Sequence, residues 1–463
     1  MFADNLSQYK NNICLITEES TLTYNEIDEI CNDFIKYLPI EKQLVLVKAS
    51  TNIETIIGYI TLLRKNFAFI MFDADSNVEL IQNVINTYNP NYIWENIEDD
   101  FQYIYKYGNY GLKLNNKEKL DLHPDLALML STSGTTGSPK MVKLTKKNID
   151  ENCKSIVKYL NISESHRAIT NLPLYYTYGL SIINTHIYKG ASLVVVNYSI
   201  MSKEFWNIFK KYEVTTFNGV PYNYEILRKI GFMKMDLPSL KYMTQAGGKL
   251  NKNLVREFAL FAIEKEIKFF VMYGQTEATA RIAYLPIENL LAKDASIGIP
   301  IPNGQLYLKD LNTDEKIDLP DVDGELVYEG KNVMMGYSTS IKDLSSGDLL
   351  KGILSTGDIA KKDEDGFFYI TGRLKRFIKI HGNRVGLDEI EHYLKSIHFD
   401  VLCSGIDNIL MIVTKKNDVD IIKKEVIGKY SFHHSVIKIK ILNEFPITNA
   451  GKINYQQIIE EFK

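Results

Sequence analysis

Cysteine is scarce, with four in 463 residues. Cys14, Cys31, Cys153 and Cys403 are too scattered for a disulfide framework and lack metal-ligand spacing, so reduced core thiols of a cytoplasmic protein are expected. Long apolar runs are missing too. No stretch approaches the roughly 18 apolar residues of a membrane span, and residues 1–10 hold no continuous apolar export core. Neither a membrane span nor export is expected. Nor is there an excess of charge of either sign: 54 Lys+Arg stand against 57 Asp+Glu, a net −3. Such a balance builds no basic field for nucleic acid or an acidic membrane surface, which leaves a small molecule as the default partner. Internal repeats and low-complexity tracts are absent, and the length accommodates two or three domains around a large core.

What is present is an alternation of helical and strand-like runs. Thr23-Tyr24-Asn25-Glu26 forms a capping box, followed by Tyr24, Ile27, Ile30, Cys31, Phe34 and Leu38 at helical spacing. A strand-like run at 44–47, a helical run at 53–63, a strand-like run at 67–72 and a helical run at 78–88 come next. The alternation resumes with helical 149–160, strand-like 192–196, helical 205–212 and strand-like 214–217. It predicts an α/β fold with a large N-terminal domain of doubly wound sheets. From about Gly298 the pattern changes to short strand-like pieces between Asp/Gly turns, which predicts a small antiparallel β subdomain. The last block mixes a helix from Leu387, strands at 409–413 and 436–441, and a helix at 419–427, a small α+β lid.

Residues 130–145 read Leu-Ser-Thr-Ser-Gly-Thr-Thr-Gly-Ser-Pro-Lys-Met-Val-Lys-Leu-Thr, delivered by the apolar run 126–130. Gly134 and Gly137 let backbone N–H groups turn inward. Thr132, Ser133, Thr135 and Thr136 add hydroxyls, and Lys140 adds a point charge, a set that suits a polyphosphate. A flexible linker has this composition but no reason to follow a buried strand so tightly. A Walker A loop counted from Gly134 needs glycine where Pro139 stands. A second constellation, Tyr273-Gly274-Gln275-Thr276-Glu277, follows the strand-like 269–272, and ligands in open α/β sheets bind at such strand ends. A carboxylate there can hold Mg²⁺ beside phosphates. By itself the pentapeptide also reads as a capped helix start with Glu in its first turn.

Together these stretches resemble the adenylate-forming superfamily, which contains acyl-CoA synthetases, peptide-synthetase adenylation domains and firefly luciferase. Further motifs follow in order, and the resemblance covers nearly the whole chain. It implies an N-terminal AMP-binding domain over 1–374 and a mobile lid over 375–463. Tyr273 is then expected against adenine, Thr276 at the α-phosphate and Glu277 on Mg²⁺. Gly247 and Gly248 in Gln-Ala-Gly-Gly-Lys-Leu leave room for adenine and acyl group, and Asp358 and Arg373 clamp the ribose. Lys452 in Pro-Ile-Thr-Asn-Ala-Gly-Lys bridges carboxylate and α-phosphate, where a cation offsets the repulsion of two anions. Tyr455 departs from the family pattern, in which arginine is common. Lys375 holds the hinge position, and Lys379 lies in the 378–382 segment that faces the site during thiol transfer.

The acid pocket is expected around Tyr176, Tyr178, Gly179, Val220 and Pro221. Tyr176 stands where many acyl-CoA synthetases carry histidine, and Thr177 where amino-acid-activating domains place aspartate, which argues against the usual α-amino-acid mode. Core packing is the other role open to these tyrosines. The implied activity is an ATP- and Mg²⁺-dependent carboxylate ligase that forms an acyl-adenylate and acylates a thiol, coenzyme A first. The alternative is the phosphopantetheine of a separate acyl carrier protein, since no carrier domain follows Lys463. A silent nucleotide-binding scaffold would have no need of Glu277, Arg373 and Lys452 together. A luciferase-like oxygenase shares the adenylation residues and would differ in needing oxygen.

Overall fold

The computed structural model describes residues 1–98, 102–131, 140–374, 376–380, 383–430, 432–448 and 451–463. Thr132, Ser133, Gly134, Thr135, Thr136 and Gly137 of the expected phosphate loop lie outside the described residues, as do Lys375, His381 and Gly382. The chain divides into two compact units. The first comprises 1–294, 300–305 and 329–354, and the second comprises 295–299, 306–328 and 355–463.

Local chemistry starts the helices of the first unit. The Thr23 hydroxyl accepts from the Glu26 N–H, and the Glu26 carboxylate accepts from the Thr23 N–H at 2.7 Å, which closes the capping box of Tyr24–Lys36. That helix buries Tyr24, Ile27, Cys31 and Phe34 on one face. Asn52 caps Ile53–Lys65, and Asn66 in the left-handed region ends it. The helix Val78–Tyr88 occupies its expected span.

Two large sheets carry this unit. One runs in the order Gly336–Ser338, Met141–Thr145, Leu126–Ser131, Ala68–Asp73, Leu44–Ala49, Tyr92–Asn96, Tyr110–Leu114 and Tyr105–Tyr107. Its centre is parallel, while Leu126–Ser131 turns back antiparallel onto Met141–Thr145. The other places Lys268–Tyr273, Tyr242–Gln245, Thr216–Gly219, Arg167–Ile169, Ser192–Val194 and Ile13–Ile16 side by side and parallel. Antiparallel strands Ala283–Leu285 and Thr21–Thr23 flank them. The helices Ile53–Lys65 and Thr177–Tyr188 are buried on nearly every face, as helices without a polar stripe must be. The Tyr59 hydroxyl of one donates to Asn184 Oδ1 of the other at 2.9 Å.

A five-stranded sheet, most of whose residues belong to the second unit, orders Lys316–Ile317, Gln305–Lys309, Gly324–Glu329, Ile353–Lys362 and Phe368–Arg373. Its resolved pairings are antiparallel, in keeping with the Asp/Gly turns between the strands. Further along, Val401–Ile406 pairs antiparallel with Ile409–Thr414, which pairs parallel with Ile437–Ile441. Successive strand residues point to opposite faces. Cys403 and Ile412 therefore join Ile390, Leu394 and Val426 on one side, while Leu402 and Val413 meet Ile458 on the other. The C-terminal segment thus builds a core of its own on both faces of this sheet. Arg376 fastens the start of the segment: it pairs with Asp388, reaches Glu391 at 3.2 Å and the Cys403 carbonyl at 2.6 Å, and lies 3.7 Å over the Tyr455 ring. Burial opposes charge on Glu391, yet Lys395 and Arg376 hold its carboxyl below the usual range. Tyr455, the departure from the family pattern, serves here as the aromatic face under that guanidinium.

All four cysteines are free and buried. Among the described residues no helix is long and apolar enough to cross a membrane.

Candidate active site

Strand order assembles the site. Gly219 pairs with Gln245, and Gln245 with Val271, in three neighbouring parallel strands. Parallel strands end at the same edge, so Asn218-Gly219-Val220-Pro221, Gln245-Ala246-Gly247-Gly248 and Tyr273-Gly274-Gln275-Thr276-Glu277 emerge side by side. In an open α/β sheet that edge is the place for ligands.

The residues expected on the acyl side meet around Gly247. Its φ of +85° is ill-suited to a side chain, and a Cβ there would collide with the Tyr176 hydroxyl and lie 3.1 Å from Val220 Cγ1. Pro221 Cγ lies 3.1 Å from the corresponding point on Gly248. Five of the expected residues, Tyr176, Val220, Pro221, Gly247 and Gly248, are thereby brought together. Burial pushes the Tyr176 hydroxyl up to about 12, which keeps it a neutral donor. Tyr178 is held from behind. Its hydroxyl lies 2.6 Å from Thr244 Oγ1, which donates to Asn218 Oδ1 at 2.7 Å. The two tyrosine rings meet edge to face at 6.3 Å. Gly179, in the first turn of Thr177–Tyr188, faces the backbone of Leu172 and Pro173.

The residues expected beside the nucleotide follow Lys268–Tyr273. Gly274 is pressed against the Ala280 carbonyl so closely that any side chain would clash, and Gln275 Nε2 donates to the Tyr273 hydroxyl at 3.3 Å. Thr276–Ala278 is a single 3₁₀ turn that presents Glu277. Its Oε1 accepts from the Tyr337 hydroxyl at 2.8 Å, and the Tyr337 ring carries Lys140 Nζ 3.4 Å from its centroid. This cation–ring–carboxylate stack follows from sheet register, because Tyr337 pairs with Val142, two residues after Lys140. Asn148 Nδ2 donates to the carbonyls of Lys331 and Val333 at 2.8 Å each, and the Met334 N–H donates to the Glu277 carbonyl at 2.8 Å. Burial and the Glu277 charge both raise the Tyr337 pKa, so it remains a donor.

Glu277 fits a magnesium ion in one way only. Among the described residues there is no group of three acidic, His or Cys side chains that could hold a metal. A single carboxylate suits an ion that takes its remaining oxygens from substrate phosphates and water.

The other expected residues belong to the second unit. Asp358 and Arg373 are register partners, and Arg373 Nε lies 2.8 Å from Asp358 Oδ1, with Asp358 buried and Arg373 reaching solvent. Lys379 is an exposed residue of Phe377–Ile380, whose N–H donates to Asp407 Oδ1 at 2.9 Å. Lys452 is half-buried and follows Gly451 in a tight turn.

Two residues escaped the sequence reading. Tyr337 carries no local signal, since only strand pairing brings it beside Lys140 and Glu277. Arg281 is 3% exposed with its guanidinium 4.0 Å over the Tyr178 ring. A lone arginine in the apolar stretch 278–285 was the available signal.

The sequence profile of the AMP-binding enzyme family matches residues 2–338. A 4-coumarate–CoA ligase-like protein from Arabidopsis thaliana is 26% identical over 71% of this chain and 61% of its own length. The matched region is likewise 50% of an acyl-CoA synthetase from Alternaria alternata and 62% of a long-chain-fatty-acid–CoA ligase from Yersinia pestis, so the chain spans half to about three-fifths of these relatives. A 2-succinylbenzoate–CoA ligase from Staphylococcus epidermidis is matched almost end to end, 24% identical over 97% of this chain and 95% of that one. The fold is shared with O-succinylbenzoate coenzyme A synthetase from Bacillus subtilis, solved in complex with AMP, at a TM-score of 0.78 and 20% identity over 98% of this chain and 97% of that one. A profile match across most of its length makes this chain a member of the AMP-binding enzyme family.

Proposed function

We propose that the protein is an ATP- and Mg²⁺-dependent ligase that converts a carboxylic acid to its acyl-adenylate, releases pyrophosphate and passes the acyl group to the thiol of coenzyme A. The supporting observation is the adjacency of two clusters at one sheet edge. Tyr176, Val220 and Gly247 form an acyl side, and Tyr273, Glu277 and the Lys140–Tyr337 pair form a nucleotide side. The names of the relatives, CoA ligases of 4-coumarate-like, long-chain fatty and 2-succinylbenzoate type, favour coenzyme A as the acceptor.

In the first step a carboxylate oxygen attacks the α-phosphorus while the bond to pyrophosphate breaks. Thr276 donates to the α-phosphate. Lys140, with Thr132, Ser133, Gly134, Thr135, Thr136 and Gly137, cradles the outgoing phosphates, and Tyr273 and Gln275 border the adenine. Asp358 and Arg373 bind the ribose. Magnesium held by Glu277 would neutralise phosphate charge. In the second step the thiolate attacks the acyl carbonyl and AMP leaves. Lys452 serves the first step and Lys379 borders the second, which asks residues 375–463 to turn as a lid about Lys375. The separate core of that segment supports its moving as one body. Proline at 375 would fix φ near −65° and restrict Leu374. Lys375→Pro is therefore expected to keep adenylate formation and to lose most thioester formation. Equal retention of both rates would remove the hinge from Lys375. The four free, buried cysteines favour a reducing compartment, the cytoplasm.

A panel of carboxylic acids, scored by acid-dependent pyrophosphate release with and without coenzyme A, tests the proposal. Release that no acid stimulates would sink it. Acyl transfer only to a carrier's phosphopantetheine would replace the acceptor. In the same panel Tyr176→Ala is expected to reorder the acids while leaving the ATP requirement in place. An unchanged order assigns Tyr176 to packing.

A further inference from the structure

Arg281 is a buried cation. Its guanidinium is a planar fork of five N–H donors with no acceptor of its own. Among the described residues no carboxylate reaches it. Its contacts are Met272 Sδ at 3.5 Å from Nε, the Ala280 carbonyl at 3.3 Å from Nη1, and the Tyr178 ring. The Tyr159 hydroxyl also accepts a side-chain hydrogen bond from Arg281, and Tyr176 is a further electrostatic neighbour. A thioether, a neutral phenol and one long carbonyl contact supply no negative charge to balance the guanidinium. A ring face offers diffuse negative potential but no lone pair for the N–H donors. A buried charge left in this condition destabilises the fold unless something anionic joins it.

The position of Arg281 says what that anion is. Tyr178 is fixed through Thr244 and Asn218, and its ring neighbours Tyr176, which touches Gly247 and Val220. Arg281 is thus one aromatic ring away from the acyl-side cluster. Its chain position, four residues beyond Glu277, keeps it at the same sheet edge, where the Ile282 N–H donates to the Tyr273 carbonyl at 2.9 Å. Building on the ligase activity proposed above, we infer that Arg281 binds a second anionic group of the acid, so that the preferred substrate is a dicarboxylic acid, one carboxylate being adenylated and the other paired with this guanidinium. The planar fork of an arginine matches a carboxylate in two parallel hydrogen bonds. Tyr176 and Tyr178, both pushed up to about 12 by burial, stay neutral and can add donors without competing as anions.

The test uses matched acids: succinate against butyrate, glutarate against valerate, and phthalate against benzoate. Two readouts are taken on the wild type, Arg281→Met and Arg281→Lys: ATP-dependent pyrophosphate release, and the melting-temperature shift produced by each acid alone. The wild type is expected to prefer the diacid in at least one pair. Arg281→Met should lower that diacid-to-monoacid ratio roughly 100-fold, and Arg281→Lys should restore part of it. Monoacid preference in every pair would overturn the inference, as would equal loss of both acids in a folded Arg281→Met. Absence of turnover with all six acids, but diacid stabilisation of the wild type and not of Arg281→Met, would keep the anion site and count against the ligase. Absence of both would overturn the inference.

Discussion

Replacing Lys452 with alanine is expected to lower acyl-adenylate formation by roughly 100- to 1,000-fold, while thioester formation from supplied acyl-AMP changes little. The asymmetry follows from charge. When a carboxylate approaches the α-phosphate, two anions meet, and a cation aimed at the transition state offsets their repulsion. Once the adenylate exists, the thiol attacks a neutral carbonyl. The local structure makes this a clean substitution. The Thr448 N–H donates to the Lys452 carbonyl at 2.7 Å, and the Lys452 N–H donates to Thr448 Oγ1 at 3.2 Å. Ile447 and Ile453 pair across the turn, and Ile453 packs against the cluster of Leu402, Val413 and Ile458. Each of these contacts is made by the backbone or by other side chains and is open to alanine as well, so the turn should stay in place. Single-turnover measurement of each half-reaction decides the matter. Equal losses in both would assign Lys452 a structural role.

Glu277→Gln should reduce pyrophosphate release by about 100-fold or more at limiting Mg²⁺, with partial recovery as Mg²⁺ is raised. Glutamine has the size of glutamate, and its carbonyl can accept the Tyr337 hydroxyl that Glu277 Oε1 now accepts at 2.8 Å. What disappears is the negative charge. With no acidic, His or Cys cluster among the described residues to share the load, that charge would be the main protein contribution to the ion under the proposed role. Tyr337→Phe is the control, because it removes the donor but keeps both the carboxylate and the ring beneath Lys140. Its effect should be several-fold smaller. A Glu277→Gln enzyme with an unchanged Mg²⁺ dependence would take the residue out of the metal role, whatever its overall rate.

The sequence by itself determined the pieces. Thr23 and Glu26 are three residues apart and close their own capping box, and Val78–Tyr88 carries its apolar period within one helix. The motifs around Gly247, Glu277, Arg373 and Lys452 are contiguous words, and it was their resemblance to a family pattern that singled them out. Expected strands such as Leu44–Ala49, Ala68–Asp73 and Ile409–Thr414 likewise stood out as short apolar runs. Tertiary structure decided which of these pieces are neighbours. Gly219, Gln245 and Val271 lie tens of positions apart and become adjacent only through parallel pairing, whose crossovers no local period records. The helix Thr177–Tyr188 is buried all round and shows no amphipathic stripe to announce it. Tyr337 reaches Lys140 and Glu277 through register, and Arg281 is a surface-type residue until the packing of Tyr178 and Met272 encloses it. A residue's spacing along the chain is written in its immediate neighbours. Its burial and its counter-charge depend on segments far away, and those exist for it only once the chain has folded.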